Sequence, residues 1–432
     1  MFPIRERSGS EFETDDGSGR GPRIFQPELP KDEPMVTNLF SNLEPKPDDP
    51  ILGISSAYRT DPRPEKVNLS VGMYLDDSGE VPLFRSVAEA EKRLLERKRP
   101  HGYGPMEGNP EFNASVKTLV FGDSTDHARI ATLQTLGGTG ALQLGSAFAY
   151  ECLGLTRAVV SNPTWGNHIA ILDEARLGVA KYRYYDAETQ SVDYTGLVED
   201  LKALPEKTLV VLHACCHNPT GVDLTLDQWK GILEVVEQGN LVPFLDMAYQ
   251  GFGEGLDEDP AALRLFAQSG INFLAATSSS KNFGLYGERV GALHVVASTP
   301  EEAETIRSIL KALVRCEYSN PPAYGGAIVA EVLNDPELFA LWKSEVATAR
   351  ERILAMRAAF AQAGKACGAD LSFALRQKGM FSYTGLTKAE MVRLREEFAV
   401  YGVENGRICV AGLTSKNVEY AAKAFAKVLA DR

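Results

Sequence analysis

The sequence predicts an α/β protein: a large domain with a mainly parallel, doubly wound sheet, and a smaller α+β domain. Two observations predict the sheet. Five apolar runs of strand length (157–163, 209–216, 241–249, 271–278 and 290–297) are nearly continuous rather than alternating, as expected of strands covered on both faces. Amphipathic stretches such as 140–154 and 226–240 lie between most of them, the alternation of a strand–helix–strand sheet. A third observation predicts the second domain. After about residue 335 the pattern becomes one long amphipathic helix (336–364), short strands around "FSYTGL" and "RICVAGL", and two helices, 387–400 and 415–431. Thr414 or Ser415 is the expected cap of the last helix.

Before the first strand the chain reads differently. Residues 1–34 mix Gly, Ser, Pro and charge without periodicity, and are expected to be a disordered tail or a remnant of expression. Glu11, Glu13, Asp15 and Asp16 are wrong for a transit peptide, and Met35 offers an alternative start. No run has the length and apolarity of a membrane span or a signal peptide. With 45 basic and 58 acidic residues the formal charge is −13, which argues against a nucleic-acid-binding surface while leaving room for local basic pockets. The six cysteines are sparse and lack zinc-type spacing. Cys215 and Cys216, adjacent on an expected strand, cannot both face one side. Reduced thiols in a cytoplasmic protein are the expectation.

In a doubly wound sheet, ligands bind beyond the C-terminal ends of the strands, and several polar residues fall there. "GGTG" (137–140) opens a helix, where free backbone N–H groups and the helix dipole suit a phosphate; a tight turn reads equally well. Asp246 ends a strand and could hold a protonated ring nitrogen, or cap a helix. Asn218, in "CHNPTG", could reach a ligand oxygen, or simply form a turn. Trp165 could stack on a flat ring, or pack in the core. Lys281, in "SSSKNFGLYGERVG" (278–291), could be a desolvated amine reactive towards aldehydes, or a surface lysine. Ser278, Ser280 and Arg289 would suit a phosphate. Taken together these residues describe one ligand, flat, phosphorylated, and carrying an aldehyde and a basic ring nitrogen. Pyridoxal 5'-phosphate has those parts.

The motifs "NLSVGMY", "YGPMEGNPEF", "GGTGAL", "NPTWGNH", "CHNPTG", "DMAYQGF", "SSSKNFGLYGERVG", "YSNPP" and "GRICVAG" run in that order. From "DPILGISSAYRTD" (49–61) to the C-terminus the chain resembles the class I, fold-type I pyridoxal-phosphate aminotransferases of the aspartate and aromatic amino-acid group. The resemblance implies an N-terminal arm and part of a small domain over 35–80, a large cofactor domain over 81–347, and the rest of the small domain over 348–432. It implies that Lys281 carries the cofactor as an aldimine and shuttles the α-proton. It pairs Asp246 with the ring nitrogen, supported by His168, and Asn218 and Tyr249 with the phenolic oxygen. Trp165 stacks on the ring, while Gly138, Thr139, Ser278, Ser280 and Arg289 hold the phosphate. Arg407 grips the substrate α-carboxylate, with Gly72, Trp165 and Asn218 also lining the substrate. Tyr103 and Arg315 reach in from the neighbouring subunit of a homodimer.

The reaction so implied is ping-pong transamination with 2-oxoglutarate. Met73, Leu75 and Val81 are more apolar than the usual aspartate-enzyme pattern, and apolar walls stabilise an aromatic ring by roughly 25 cal/mol per Å² buried. "PMEG" and "GMFSYTGL" also look like the aromatic subgroup. Thr139 and Asn320 look like aspartate-enzyme choices, and Gly102 fits neither pattern. The reading is an aromatic aminotransferase that keeps aspartate activity through Arg315. The alternatives are an aspartate enzyme with little aromatic activity, a lyase or decarboxylase on the same fold, and a non-catalytic binding protein. Paired Arg315 and Arg407 speak against the lyase, intact Lys281 and Asp246 against the binding protein.

Overall fold

The computed structural model describes residues 40–45, 50–98 and 100–431. The expected tail, 1–34, lies outside the described residues. Residues 40–45 form a turn closed by the Leu43 N–H on the Phe40 carbonyl at 3.1 Å. They belong to a unit separate from Asp48–Arg432.

A seven-stranded sheet organises the larger unit. Its strands, in chain order, are β1 (Ile130–Leu136), β2 (Arg157–Asn162), β3 (Gly178–Arg183), β4 (Leu209–His213), β5 (Val242–Met247), β6 (Phe273–Ser278) and β7 (Val290–Val296). They lie in the order β1-β7-β6-β5-β4-β2-β3. All pairings are parallel except the two made by β7, which is antiparallel to β1 and β6. Only residues 279–289 connect β6 to β7, with no helix among them, and a parallel return needs a longer crossover.

Alternate residues of each strand feed two cores, because side chains on a strand alternate faces. Val210, Leu212 and Leu245 join the core under helices Tyr194–Lys202, Leu226–Gln238 and Ala261–Ser269. Leu209, Val211 and Phe244 join the opposite core, under helices Gly137–Glu151 and Pro300–Glu317. The edge strand β3 was not among the expected runs, and its polar, largely exposed sequence "GVAKYR" explains why.

Helix Pro336–Ala366 starts where expected, its first N–H groups at Glu337 and Leu338 donating to Asp335 at 3.0 and 2.9 Å. Strands Phe381–Tyr383 and Arg407–Cys409 pair antiparallel. Residues Val67–Asn68 pair in parallel with Val400–Tyr401, which joins an early segment to the C-terminal part. Helix Lys388–Phe398 carries a capping box between Thr387 and Glu390. The last helix departs from expectation. It begins at Val418, and neither Thr414 nor Ser415 caps it. Asn417 instead turns back to accept the Thr414 N–H at 2.7 Å, and the Ser415 hydroxyl donates to Asp77 at 2.6 Å. Among the described residues no helix is long and apolar enough to cross a membrane.

The expectation for the cysteine pair also changes. β4 ends at His213, the chain bends, and Cys216 takes φ +52°. Off the strand, both thiols and an Asp259 carboxylate oxygen come within 4.8 Å of one another. That carboxylate already accepts the N–H groups of Gly251, Gly253, Glu254 and Gly255. All six cysteines are free thiols.

Candidate active site

Chain direction diverges between β2 and β4: from β2 the chain moves outward to β3, and from β4 it works back across the sheet. Such a switch point opens a crevice at the strand C-terminal ends, and a cavity of about 410 Å³ is found there. Trp165 follows β2, Asn218 follows β4, Asp246 lies near the end of β5, and Lys281 follows β6; all line this cavity.

Two opposite charges face each other across it. Burial drives the Lys281 amine down to about 8, assisted by the Arg289 guanidinium and opposed by the Asp246 carboxylate. The amine stands 4.7 Å over the Tyr249 ring. Burial alone would raise Asp246, but the hydrogen bond from His168 leads the influences that bring it below the usual carboxylate value. His168 Nε2 lies 3.0 Å from Asp246 Oδ2, and its Nδ1 lies 2.9 Å from the Thr164 hydroxyl. With both nitrogens engaged, the ring is fixed in orientation.

The opposite end of the cavity is built for an anion. Helix Gly137–Glu151 begins there, bringing its free N–H groups and dipole. Gly138 and Thr139 lie in the first turn, beside Ser278, Ser280 and Arg289. A Cβ on Gly137 would sit 2.6 Å from an Arg289 nitrogen, and one on Gly138 would sit 3.3 Å from Ser278 Cβ. Both glycines therefore let the backbone approach closely. Arg289 itself has φ +55°, a left-handed conformation that costs about 1 kcal/mol for a residue with a side chain. Its Nη1 donates to the Tyr286 carbonyl at 3.0 Å and to Ser280 Oγ at 3.4 Å, which aims the fork along the glycine turn.

Arg407 is buried, donating to Asn218 Oδ1 at 3.2 Å and to the Ser70 carbonyl at 2.6 Å. Its guanidinium lies 4.4 Å above the Phe381 ring. Gly72 faces the same ring so closely that a Cβ would fall 2.7 Å from Phe381 Cζ. Met73 lines the cavity. Leu75, half-buried, packs towards Gly412, and Val81 is exposed.

Three expected residues do not line the cavity: Arg407 touches its wall through Asn218, and the other two lie on the surface. Tyr103 is 97% exposed, and Arg315, also exposed, donates to the Ser319 hydroxyl. Conversely, three groups at the site were not singled out from sequence. Tyr286 lines the cavity and accepts the Tyr74 N–H at 2.9 Å. Phe381 underlies Arg407. His213 stands beside Asp246 in strand register. The signal for His213 was its place in the apolar run 209–216, which does not say which strand it neighbours.

An isolated amine, a fixed carboxylate and an anion cradle around one cavity, with a buried guanidinium bonded to its Asn218 wall, suit a phosphorylated cofactor and a carboxylate substrate. The family model for aminotransferase class I and II matches residues 64–425. The chain belongs to this family and is an aminotransferase. It is similar to an aspartate aminotransferase of Pseudomonas aeruginosa, 49% identical over 397 residues that cover 91% of this chain and 100% of the relative. It is also similar to an aromatic-amino-acid aminotransferase of Escherichia coli, 46% identical over 401 residues covering 90% and 100%. Among solved structures, the aromatic-amino-acid aminotransferase of Burkholderia pseudomallei, covalently bound to pyridoxal phosphate, matches with TM-score 0.89 and 49% identity over 91% of this chain and 100% of that one.

Proposed function

We propose that the chain uses pyridoxal 5'-phosphate to move an amino group between an aromatic amino acid or aspartate and 2-oxoglutarate, in ping-pong order. The observation that carries this reading is a single cavity lined by Lys281, Asp246 and the anion cradle of Gly138, Thr139, Ser278, Ser280 and Arg289. The residues fit the cofactor: Gly137 and Gly138 leave space where a Cβ would crowd Arg289 and Ser278. Bound there, the cofactor supplies an aldehyde for the amine and a protonated ring that delocalises the electron pair left at the substrate α-carbon.

The chain supplies the rest. Gly138, Thr139, Ser278, Ser280 and Arg289 would hold the phosphate. Asp246, steadied by His168, would face the ring nitrogen and keep it protonated. Asn218 and Tyr249 would bond the phenolic oxygen, and Trp165 would cover the ring. Arg407 would hold the substrate α-carboxylate by charge-assisted hydrogen bonds. The Lys281 amine, as free base, would take the proton from the α-carbon and hold it for return on the other side of the transferred nitrogen.

Tyr103 and Arg315 are assigned to the cavity of a second copy, making the working unit a homodimer. Their exposure supports this, as does an open groove of about 690 Å³ bordered by Leu95 and Tyr324, which are 78% and 49% exposed. The pairing of Val67–Asn68 with Val400–Tyr401 supports reading 35–80 as an N-terminal arm and part of a small domain that 348–432 completes, with 81–347 as the large one. Free thiols fit a cytoplasmic setting.

Met73 on the cavity wall favours an aromatic side chain over a purely acidic specificity. The test is a visible absorbance spectrum of the purified protein, before and after adding tyrosine, then aspartate, without keto acid. Both amino acids should bleach the cofactor band. Bleaching by aspartate alone sinks the aromatic assignment. No band, even after adding pyridoxal phosphate, sinks the whole reading.

A further inference from the structure

Three histidines crowd behind the cavity. His168 and His213 have ring centroids 4.9 Å apart, and His213 and His217 4.3 Å apart. His217 is fully engaged: its Nε2 lies 2.9 Å from the Ser161 hydroxyl and its Nδ1 2.8 Å from that of Thr220. It also stacks on Tyr184 at 4.0 Å. His168 is engaged at both nitrogens, by Thr164 and Asp246. His213 differs. Its Nε2 is buried and has no hydrogen-bond partner among the described residues, yet the residue lines the cavity.

A buried ring nitrogen left without a partner costs about 1–3 kcal/mol, so such groups call for a ligand or a water. Asp246 is an acceptor close by. The two residues are register partners on adjacent parallel strands, and a ring nitrogen of His213, one of His168 and an Asp246 oxygen all lie within 4.8 Å of one another. A gap of this kind between polar atoms is commonly closed by a bridging water. A metal ion is the weaker occupant, because Lys281, Arg289 and Arg407 make the surroundings cationic. Burial, the largest influence, and the neighbouring imidazoles hold His213 well below the ordinary histidine value, so the ring is neutral with one N–H to donate.

We propose that His213 is a positioning residue for Asp246: its Nε2, through an ordered water, completes the hydrogen-bond shell of the carboxylate and fixes the oxygen that faces the cofactor ring. His168 then holds one side of the carboxylate and His213 the other, so the carboxylate cannot rotate away from the ring nitrogen. The proposal rests on the pyridoxal-phosphate reading of the cavity.

The test compares three variants of the full chain, with pyridoxal phosphate as the probe. A glutamine amide nitrogen falls close to where Nε2 lies, whereas an asparagine amide reaches only the Nδ1 position. His213→Ala and His213→Asn should each weaken the dissociation constant for pyridoxal phosphate roughly tenfold to a hundredfold. Both should lower kcat while leaving KM for the amino acid near wild type. His213→Gln should recover most of both losses. Alanine affinity within twofold of wild type would overturn the proposal, as would asparagine and glutamine behaving alike. If the alanine variant does not fold, the Asn–Gln comparison, made on proteins with matched melting temperatures, decides alone. A wild-type chain that takes up no pyridoxal phosphate refutes the cofactor reading itself, a different failure from a wild-type chain that binds it and a variant that binds equally well.

Discussion

Replacing Arg357 should damage the site from a distance. The residue lies on helix Pro336–Ala366 and is 1% exposed. Burial lowers its guanidinium to about 10, so it remains a cation at neutral pH. No carboxylate pairs with it among the described residues; its terminal nitrogens donate to five oxygens on one short segment. Nη1 bonds the Ala374 carbonyl at 2.9 Å and the Ser382 hydroxyl at 2.8 Å. Nη2 bonds the carbonyls of Lys378, Gly379 and Phe381 at 3.1, 2.7 and 2.6 Å. That segment delivers Phe381, the ring beneath Arg407 and against Gly72.

Arg357→Met fills much of the space but leaves four carbonyls without their donor. At about 1 kcal/mol for each orphaned acceptor, less what is regained by not burying a charge, the expected loss is about 3–4 kcal/mol. That is a large share of a typical stability of about 5–15 kcal/mol. Arg357→Lys should do little better, because one ammonium with three hydrogens cannot span acceptors spread from 374 to 382. Urea denaturation gives the stability, and steady-state kinetics give the site. The expected result is a lower midpoint for both variants and, well below that midpoint, a raised amino-acid KM as Phe381 shifts. A lysine variant within about 1 kcal/mol of wild type would show that the guanidinium fork is not what holds this segment.

Other expectations come from the same geometry. In the cofactor-free protein Lys281 should react with a small aldehyde at a rate that rises with pH and levels off above about 8. The free base is the nucleophile and its value is depressed, so a midpoint near 10 would refute the desolvation argument; pH-dependent labelling followed by mass spectrometry measures it. Gly72→Ala puts a methyl 2.7 Å from Phe381 Cζ, pushing the ring off its 4.4 Å contact with Arg407. KM for every amino acid should rise about tenfold while the melting temperature barely changes, and an unchanged KM would mean the ring yields freely. Arg315→Leu should cut kcat/KM for aspartate by about 10- to 100-fold and spare tyrosine. Equal losses for both amino acids would remove Arg315 from side-chain recognition.

Much of the site was legible because strand ends are legible. Asp246 and Lys281 both follow apolar runs, and a doubly wound sheet collects such ends on one edge. Glycines before a helix announced the anion cradle in the same way. What stayed hidden was set by long-range register or by departures from regular backbone. Alternation along one strand says nothing about which neighbour His213 meets; only pairing with β5 brings it to Asp246. The converging thiols of Cys215 and Cys216 depend on a left-handed residue after a strand has ended. The cap of the last helix was misread because two hydroxyl residues precede it, whereas Asn417 and Asp77 take their hydrogen bonds.

The sheet topology also explains how the cavity keeps a cationic amine and an anionic carboxylate close without collapsing them into an ion pair. Lys281 leaves β6 in a turn, whereas Asp246 sits within β5, so backbone hydrogen bonding sets the spacing between them rather than side-chain flexibility. His168 occupies one carboxylate oxygen from a third element, helix Gly166–Glu174. An ion pair to Lys281 would compete with that bond and restore the amine towards its ordinary value. Its depression to about 8 is therefore the signature of separation: burial outweighs the attraction of Asp246. His168→Ala frees the carboxylate to swing towards the amine, and the labelling midpoint of Lys281 should then move upward from about 8. A midpoint that stays put or falls would mean that β5 and the carboxylate's remaining neighbours, without His168, keep the two charges apart.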